Sequence, residues 1–561
     1  MLKLKRKLVL PVLAALIIAG FPSSILGAGL RGGFYGAAAP INLVPASADV
    51  YVELNRAGTL GDNLAALVRT YQAHPGTAAA LARLRASIGP AALQQFNTLL
   101  TAAPARVGVF ATIPTNSSTQ PQVAVIAQLK PASFMNGGNP LSGLATFSPS
   151  TSYRGTSIYR VTFAGGLGGG YGAIVSGDGV IAGDVASVQS VIDAATFHAP
   201  SLATDPDFNT TLAQIPALRT MTVYVGRRFL TGRERTALQQ AGSAGGMAAR
   251  AAARVFERSY AVGVTAYPNG ISVVSSALPR TSPLFTTPNN GANIVGNTAI
   301  AYVSLANLAE LLRASGVLSA GTLTQAQAQT GINIAGDVLP LISREVVVDI
   351  NDETSPLLTT VLVASGSSGG ASSLGSVPEL PGSLELATEV ADQASAQRSV
   401  DRIVASLTKA AGGSAASGSL FQKTTLPDGS TGYVVTVLPS LGYTFRQTGG
   451  HTFLVISSNL PEDVRASATP LSADADYKTA LANVAGPGAL VSINYTNISR
   501  LLGLVDRVLD YARTQKAVSA SDLATYRQDA EPLIAPFRSM VTVSRAYGAQ
   551  DTQTQMFISV R

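Results

Sequence analysis

The 561-residue chain contains no cysteine, which excludes disulfides, a cysteine nucleophile, thiolate metal ligands and lipidation of an N-terminal cysteine. Charge is scarce as well. Charged residues make up 13% of the chain against 46% hydrophobic, about half the charged share of an average soluble domain. Such a composition does not describe a disordered or acidic solvating chain, and it supplies a large core. The three histidines, His74, His198 and His451, lie far apart and form no metal-ligand spacing, so a structural or solvent role is expected for them and no metal or cofactor is expected. After the N-terminus no run of 18 or more uninterrupted apolar residues occurs, which argues against a later membrane-spanning helix.

What charge there is begins at the N-terminus. Lys3, Lys5, Arg6 and Lys7 supply four of the formal +7, and the remainder, about +3, is too diffuse to steer a polyanion, so no nucleic-acid partner is expected. The basic cluster precedes an apolar run from Leu8 to Phe21, the layout of an export signal. Residues 1–39 therefore read as a signal peptide, with an uncleaved anchor as the alternative. Small residues at Gly27 and Ala28 favour cleavage, while Leu26 breaks the strict small-x-small pattern. Either way the positive-inside rule puts the rest of the chain outside the cytoplasm: secreted, periplasmic, or held on the outer side of the membrane. Any membrane association is expected through this segment.

At 561 residues more than one domain is expected, and the chain repeats itself. "SLATDPDFNTTLAQIPA" (201–217) aligns without a gap with "PLSADADYKTALANVAG" (470–486), and "VYVELN" (50–55) corresponds to "AYVSLAN" (301–307). Each half ends by passing from a β-rich run into a helix, at 220–230 and at 489–502. After each of these four passages come two β-rich runs, at 105–129, 259–278, 345–365 and 540–560, with Pro268-Asn269-Gly270 and Asn351-Asp352 as turn chemistry. In "ISRLLGLVDRVLDYA", Ile498, Leu501, Leu502, Val505, Val508 and Leu509 recur at helical spacing, one apolar stripe to lay on a sheet. The expected fold is α+β and internally duplicated: antiparallel sheets with packed helices, as four β-α-β-β units in two homologous halves. The expected boundaries are 40–281 for the first half, 282–297 for a linker and 298–561 for the second half. A further Gly/Ser-rich loop is expected at 364–383.

The repeated segment carries paired carboxylates, Asp205 with Asp207 and Asp474 with Asp476. Asp205 suits an N-cap, Pro206 the first helical position, and Asp207 the positive end of the helix dipole. Phe208, Leu212 and Ile215 then share a face, as do Tyr477, Leu481 and Val484. Capping accounts for every matched position, whereas a metal or acid/base site needs further ligands that neither copy supplies. All four aspartates are therefore read as structural helix starts. "GSSGG" (366–370) satisfies G-x-S-x-G around Ser368, but more Gly and Ser follow where a nucleophile elbow needs a helix. "GGLGGGYG" (165–172) has glycine spacing without the Lys-Ser/Thr of a phosphate loop, and reads as a hairpin tip. Asn116, Asn209, Asn494 and Asn497 head glycosylation sequons.

"LVPASADVYVELN" (43–55) before a helix, and "DPDFNTTLAQIPALRTMTVYV" (205–225) leading into a strand, resemble the exported bacterial family catalogued as domain of unknown function 3352, DUF3352. The resemblance extends over most of the chain after residue 40. It implies an extracytoplasmic location and a repeated α+β body, and carries no catalytic residues to transfer. The second copy departs from the pattern with Ala475 and Tyr477 in place of Pro206 and Phe208. The expectation is a non-enzymatic binding or structural protein of the cell envelope, its partner an envelope protein or an apolar ligand. The alternatives are a carrier of an apolar or lipid ligand, suggested by the mean hydropathy of +0.27, and a serine hydrolase using Ser368.

Overall fold

The computed structural model describes residues 39–88, 106–113, 122–128, 145–163, 169–176, 178–229, 258–279, 285–314, 318–355, 380–410, 421–436, 438–514, 516, 518–548 and 551–561. The chain divides into two compact units, one reaching to Ala277 and completed by Gln528–Pro536 and Val560–Arg561, the other formed by Leu278–Arg527 and Phe537–Ser559. The class is α+β, with antiparallel sheets and packed helices.

In chain order the first unit contains β1 (Val50–Asn55), α1 (Thr59–Ala73), α2 (Thr77–Ile88), β2 (Arg106–Thr112), β3 (Gln122–Gln128), β4 (Ala145–Tyr153), β5 (Thr156–Phe163), β6 (Gly169–Val175), β7 (Asp178–Ala182), α3 (Val185–Ala195), α4 (Pro206–Leu212), β8 (Met221–Val225), β9 (Tyr260–Tyr267) and β10 (Gly270–Ser275). Its sheet runs β10-β9-β8-β1-β2-β3-β7-β6-β5-β4, every pair antiparallel. The Pro268-Asn269-Gly270 turn joins β9 to β10 as its chemistry requires. Tyr51, Phe110, Ala124, Ile126, Val188 and Phe208 are buried together in an apolar core between the sheet and α3 and α4.

The second unit contains β11 (Leu278–Pro279), β12 (Ala299–Ala306), α5 (Leu308–Ala314), α6 (Ala320–Thr330), β13 (Glu345–Ser355), β14 (Leu380–Val390), α7 (Gln393–Ala410), β15 (Phe421–Thr425), β16 (Thr431–Val435), β17 (Leu438–Thr448), β18 (His451–Ser457), α8 (Leu460–Ala466), α9 (Ala475–Ala482), β19 (Leu490–Asn497), α10 (Ile498–Thr514), α11 (Ala520–Thr525), β20 (Phe537–Tyr547) and β21 (Asp551–Val560). Its sheet runs β20-β19-β12-β13-β14-β18-β17-β16-β15, again antiparallel throughout. The order matches that of the first unit from β9 to β4, β12 standing where β1 stands. Isolated bridges repeat too, Pro45 to Ser201 and Gly296 to Pro470. The short helix α12 (Glu531–Ile534) lies in the stretch that belongs to the first unit. There Asp529 takes the Arg83 Nε at 2.6 Å, the Leu533 carbonyl takes Tyr71 Oη at 2.6 Å, and the Pro532 carbonyl takes Thr77 Oγ1 at 2.7 Å.

Three expectations change. Asn351-Asp352 is no hairpin turn: β13 continues through it to Ser355 with a register shift between Asn351 and Thr354, and its partner is 380–390. Asn351 is buried inside the sheet, so its amide is held by side chains rather than freed at a turn tip. The apolar stripe of α10 is only partly covered, Leu502 being buried and Leu501 exposed. Within the stretch read as a linker, Ala292, Ile294 and Val295 are buried in the second unit's core, because the short helix Asn290–Asn293 docks on β13 and β14.

Candidate functional site

The first aspartate of each pair caps a helix. Asp205 Oδ1 accepts the backbone N–H groups of Asp207 at 2.8 Å and Phe208 at 3.0 Å, and Asp474 Oδ1 accepts those of Asp476 at 2.8 Å and Tyr477 at 2.9 Å. In each case two orphan donors of the first turn are satisfied by one carboxylate. The next residue seats the helix: Phe208 meets the Tyr224 ring edge-on at 4.8 Å, and Tyr477 meets Tyr495 at 5.1 Å and Tyr302 at 5.9 Å. Asp207 accepts from the Ser259 hydroxyl, and Asp476 pairs with Arg538 at 2.5 Å.

Other singled-out positions fall elsewhere. Lys3, Lys5, Arg6, Lys7, Ser368, Asn116 and residues 165–168 lie outside the described residues. Gly169–Tyr171 and Gly172 belong to β6 rather than a hairpin tip. A Cβ at Gly170 would strike the Ala182 carbonyl oxygen, and one at Gly172 would sit 2.9 Å from Val161 Cγ2, so these glycines permit close strand packing. His451 opens β18 and contacts Glu389 at 3.0 Å, beside Arg344. Among the described residues His74 and His198 contact their own loops, at the Pro75 carbonyl and the Thr196 hydroxyl.

The most unusual chemistry lies on β13 and β14, where sequence reading assigned none. Their inward positions are Glu345, Val347, Asp349 and Asn351, and Ser383, Glu385, Ala387 and Glu389, all buried. The other face carries Val348, Ile350 and Leu384, all exposed. A half-buried strand ordinarily turns its apolar side inward; here the inner face carries acids beside Val347 and Ala387, while of the outer face only part, including Val346, Thr388 and Val390, is buried. Asp349 stands directly opposite Glu385, and Glu385 opposite Ser457 of β18. From α8, Asp463 leans onto the same place and accepts from Asn351 Nδ2 at 2.6 Å, Ser383 Oγ at 2.7 Å and the Ser457 hydroxyl.

These carboxyls are 1%, 2% and 2% exposed for Asp349, Glu385 and Asp463, yet their satisfaction differs. Asp463 has three donors. Glu345, further along β13, has the Asn290 and Gly291 N–H groups at 2.9 and 3.1 Å and the Ser304 hydroxyl at 2.8 Å. Both oxygens of Asp349 and Oε1 of Glu385 are buried without a hydrogen-bond partner. Burial first, then the neighbouring acids, push the Asp349 carboxyl well above the usual range. Burial first, then Asp463, bring Glu385 up to about 8, with Arg446 pulling the other way. Burial also raises Asp463, against the pull of its three donors.

The first unit answers what the fold itself requires at these positions. Tyr51 of β1 stands opposite Phe110, Phe110 opposite Ala124, and Ala124 opposite Ala182. In the second unit the same path runs Tyr302, Asp349, Glu385, Ser457. Six residues beyond Ala182 comes Val188, as Asp463 comes six beyond Ser457. Phe110, Ala124 and Val188 are buried core residues. The architecture therefore closes with an apolar core at the positions where the second unit places three acids. Among the described residues no group of three or more His, Cys, Asp or Glu side chains is disposed to hold a metal ion. What the unpartnered pair can do is hold protons, because a carboxyl becomes a hydrogen-bond donor only when protonated.

The family model described as protein of unknown function (DUF3352) matches residues 110–368. Over that stretch the chain is similar to this family. The match begins in the first unit and ends in the second, less than the span from residue 40 onward suggested by the sequence motifs. No curated protein and no solved structure matches the chain.

Proposed function

We propose that the chain is a non-enzymatic, extracytoplasmic protein of the cell envelope, built from two copies of one ancestral α+β unit and acting as a binding or structural module. The observation that carries this reading is the use of the repeated aspartates. Asp205 and Asp474 are engaged by backbone N–H groups at two helix starts, so the signature of the repeat serves architecture rather than catalysis. The shared strand order and the repeated bridges support the duplication, and the basic cluster ahead of an apolar run supports export. The test is to fractionate native cells, sequence the mature N-terminus and identify what copurifies. Recovery in the envelope or the medium with a reproducible partner is the expected result; a cytoplasmic protein with an intact N-terminus contradicts the reading.

A second reading, binding of an apolar partner or ligand, draws on the outer face of β13, β14 and β18. Val348, Ile350, Leu384 and Ile456 lie on one side of that sheet and are all exposed, Leu384 by 49%. Organic extraction of the natively purified protein, followed by mass spectrometry, tests it: a stoichiometric lipid or other apolar molecule favours the carrier, and none removes it.

A further inference from the structure

We propose that Asp349 and Glu385 form a buried proton-binding site on the inner face of the second unit's sheet, sharing a proton at neutral pH and loosening β13 and β14 when it leaves. Directly opposed residues of an antiparallel pair carry Cβ atoms roughly 5 Å apart, so the two carboxyl groups are within reach of each other. Two ionised carboxylates there only accept and repel; with one protonated, the pair gains a donor and loses a charge. Apolar residues fill the corresponding places in the first unit, so the fold has no need of the acids.

The surroundings leave the proton as the charge-balancing partner. From β12 the facing group is Tyr302, opposite Asp349. From β18 it is Ser457, with His451 further along and engaged by Glu389. Arg446 of β17 gives its guanidinium to the Ile294 carbonyl at 2.9 Å and to the Ser467 hydroxyl. The helix α8 brings a third acid, Asp463, and Glu462 beside it pairs with Arg465 at 2.5 Å. The turn Asn290–Asn293 brings only backbone N–H groups, directed at Glu345, and α9 brings Tyr477, hydrogen-bonded to Asn289. On the opposite face α10 carries Asp506 and Arg507, the latter bonded to Asp352. No described lysine or arginine forms an ion pair with Asp349 or Glu385.

Folded carboxyls that keep protons the unfolded chain has released make stability fall as pH rises. The loss begins above the unfolded carboxylate range near pH 4 and is complete above the folded value, which for Glu385 is about 8. Infrared difference spectra of the wild-type full chain between about pH 6 and about pH 9 test this without requiring any variant to fold. A protonated-carboxyl stretch present at the lower pH and gone at the higher is expected, since exposed acids are already ionised there. Urea unfolding over the same range is expected to lower the second unit's folding equilibrium about tenfold or more, and the Asp349→Asn/Glu385→Gln double variant is expected to flatten that slope. Absence of the band, or equal slopes in wild type and variant, overturns the proposal. So does stabilisation of the wild type at the higher pH by millimolar Ca²⁺ or Mg²⁺ that the double variant lacks, which would make the pair a cation site.

Discussion

Asp205 and Asp349 are both aspartates in an α+β unit, and their surroundings give them opposite chemistry. Asp205 sits where backbone N–H groups point outward from a helix start, and its side-chain oxygen accepts from two of them. Replacing Asp205 or Asp474 by Ala should cost about 1 kcal/mol each, and by Asn only part of that; chemical denaturation measures it, and a neutral Ala variant would mean the caps are idle. Both oxygens of Asp349 and Oε1 of Glu385 sit buried where nothing donates. Glu385→Gln should therefore raise stability at about pH 8, by about 1 kcal/mol or more, and change it little near pH 5, where the acid is already neutral. The caps were legible in the sequence because Asp-x-Asp-Phe/Tyr ahead of an apolar face has one geometric solution. The buried pair was not. In "VDIN" (348–351) apolar and polar residues alternate, and a period of two says which residues share a face without saying which face is inside.

Elements were read best where local chemistry and packing agree. The Pro-Asn-Gly turn and the helix starts fell where expected, while Asn351-Asp352, equally turn-like in isolation, lies within β13 because β14 comes from 380–390 and pairs along its length. Tertiary pairing overrode turn propensity there. The docking of Asn290–Asn293 on β13 leaves no room for a side chain at Gly291, where a Cβ would collide with Val347 Cγ2, and the Gly291 N–H donates to Glu345 at 3.1 Å. Gly291→Ala should destabilise the second unit by about 1–3 kcal/mol, seen as a lower urea midpoint with an unchanged first-unit transition. A wild-type midpoint would show that the short helix simply shifts away.

For the whole molecule, composition fixed less than repetition did. The low charge content and long chain gave a large core and more than one unit, and the paired segments gave equivalent positions. What they did not give is that Gln528–Pro536, from near the C-terminus, completes the first unit, since contacts between Arg83 and Asp529 or between Thr77 and the Pro532 carbonyl leave no local pattern. Arg83→Ala combined with Thr77→Val should speed hydrogen exchange in 59–83 and in 528–536 together; acceleration in one alone would argue that the segment is held by other contacts.

The two units share a strand order, and at three buried positions the first is apolar, Phe110, Ala124 and Val188, where the second is acidic, Asp349, Glu385 and Asp463. Hydrogen exchange of the intact protein at about pH 6 and about pH 9, corrected for the intrinsic rate, measures this directly. The predicted result is that β13 and β14 lose protection at the higher pH while β2 and β3 keep theirs. Equal protection changes in both pairs of strands would contradict it.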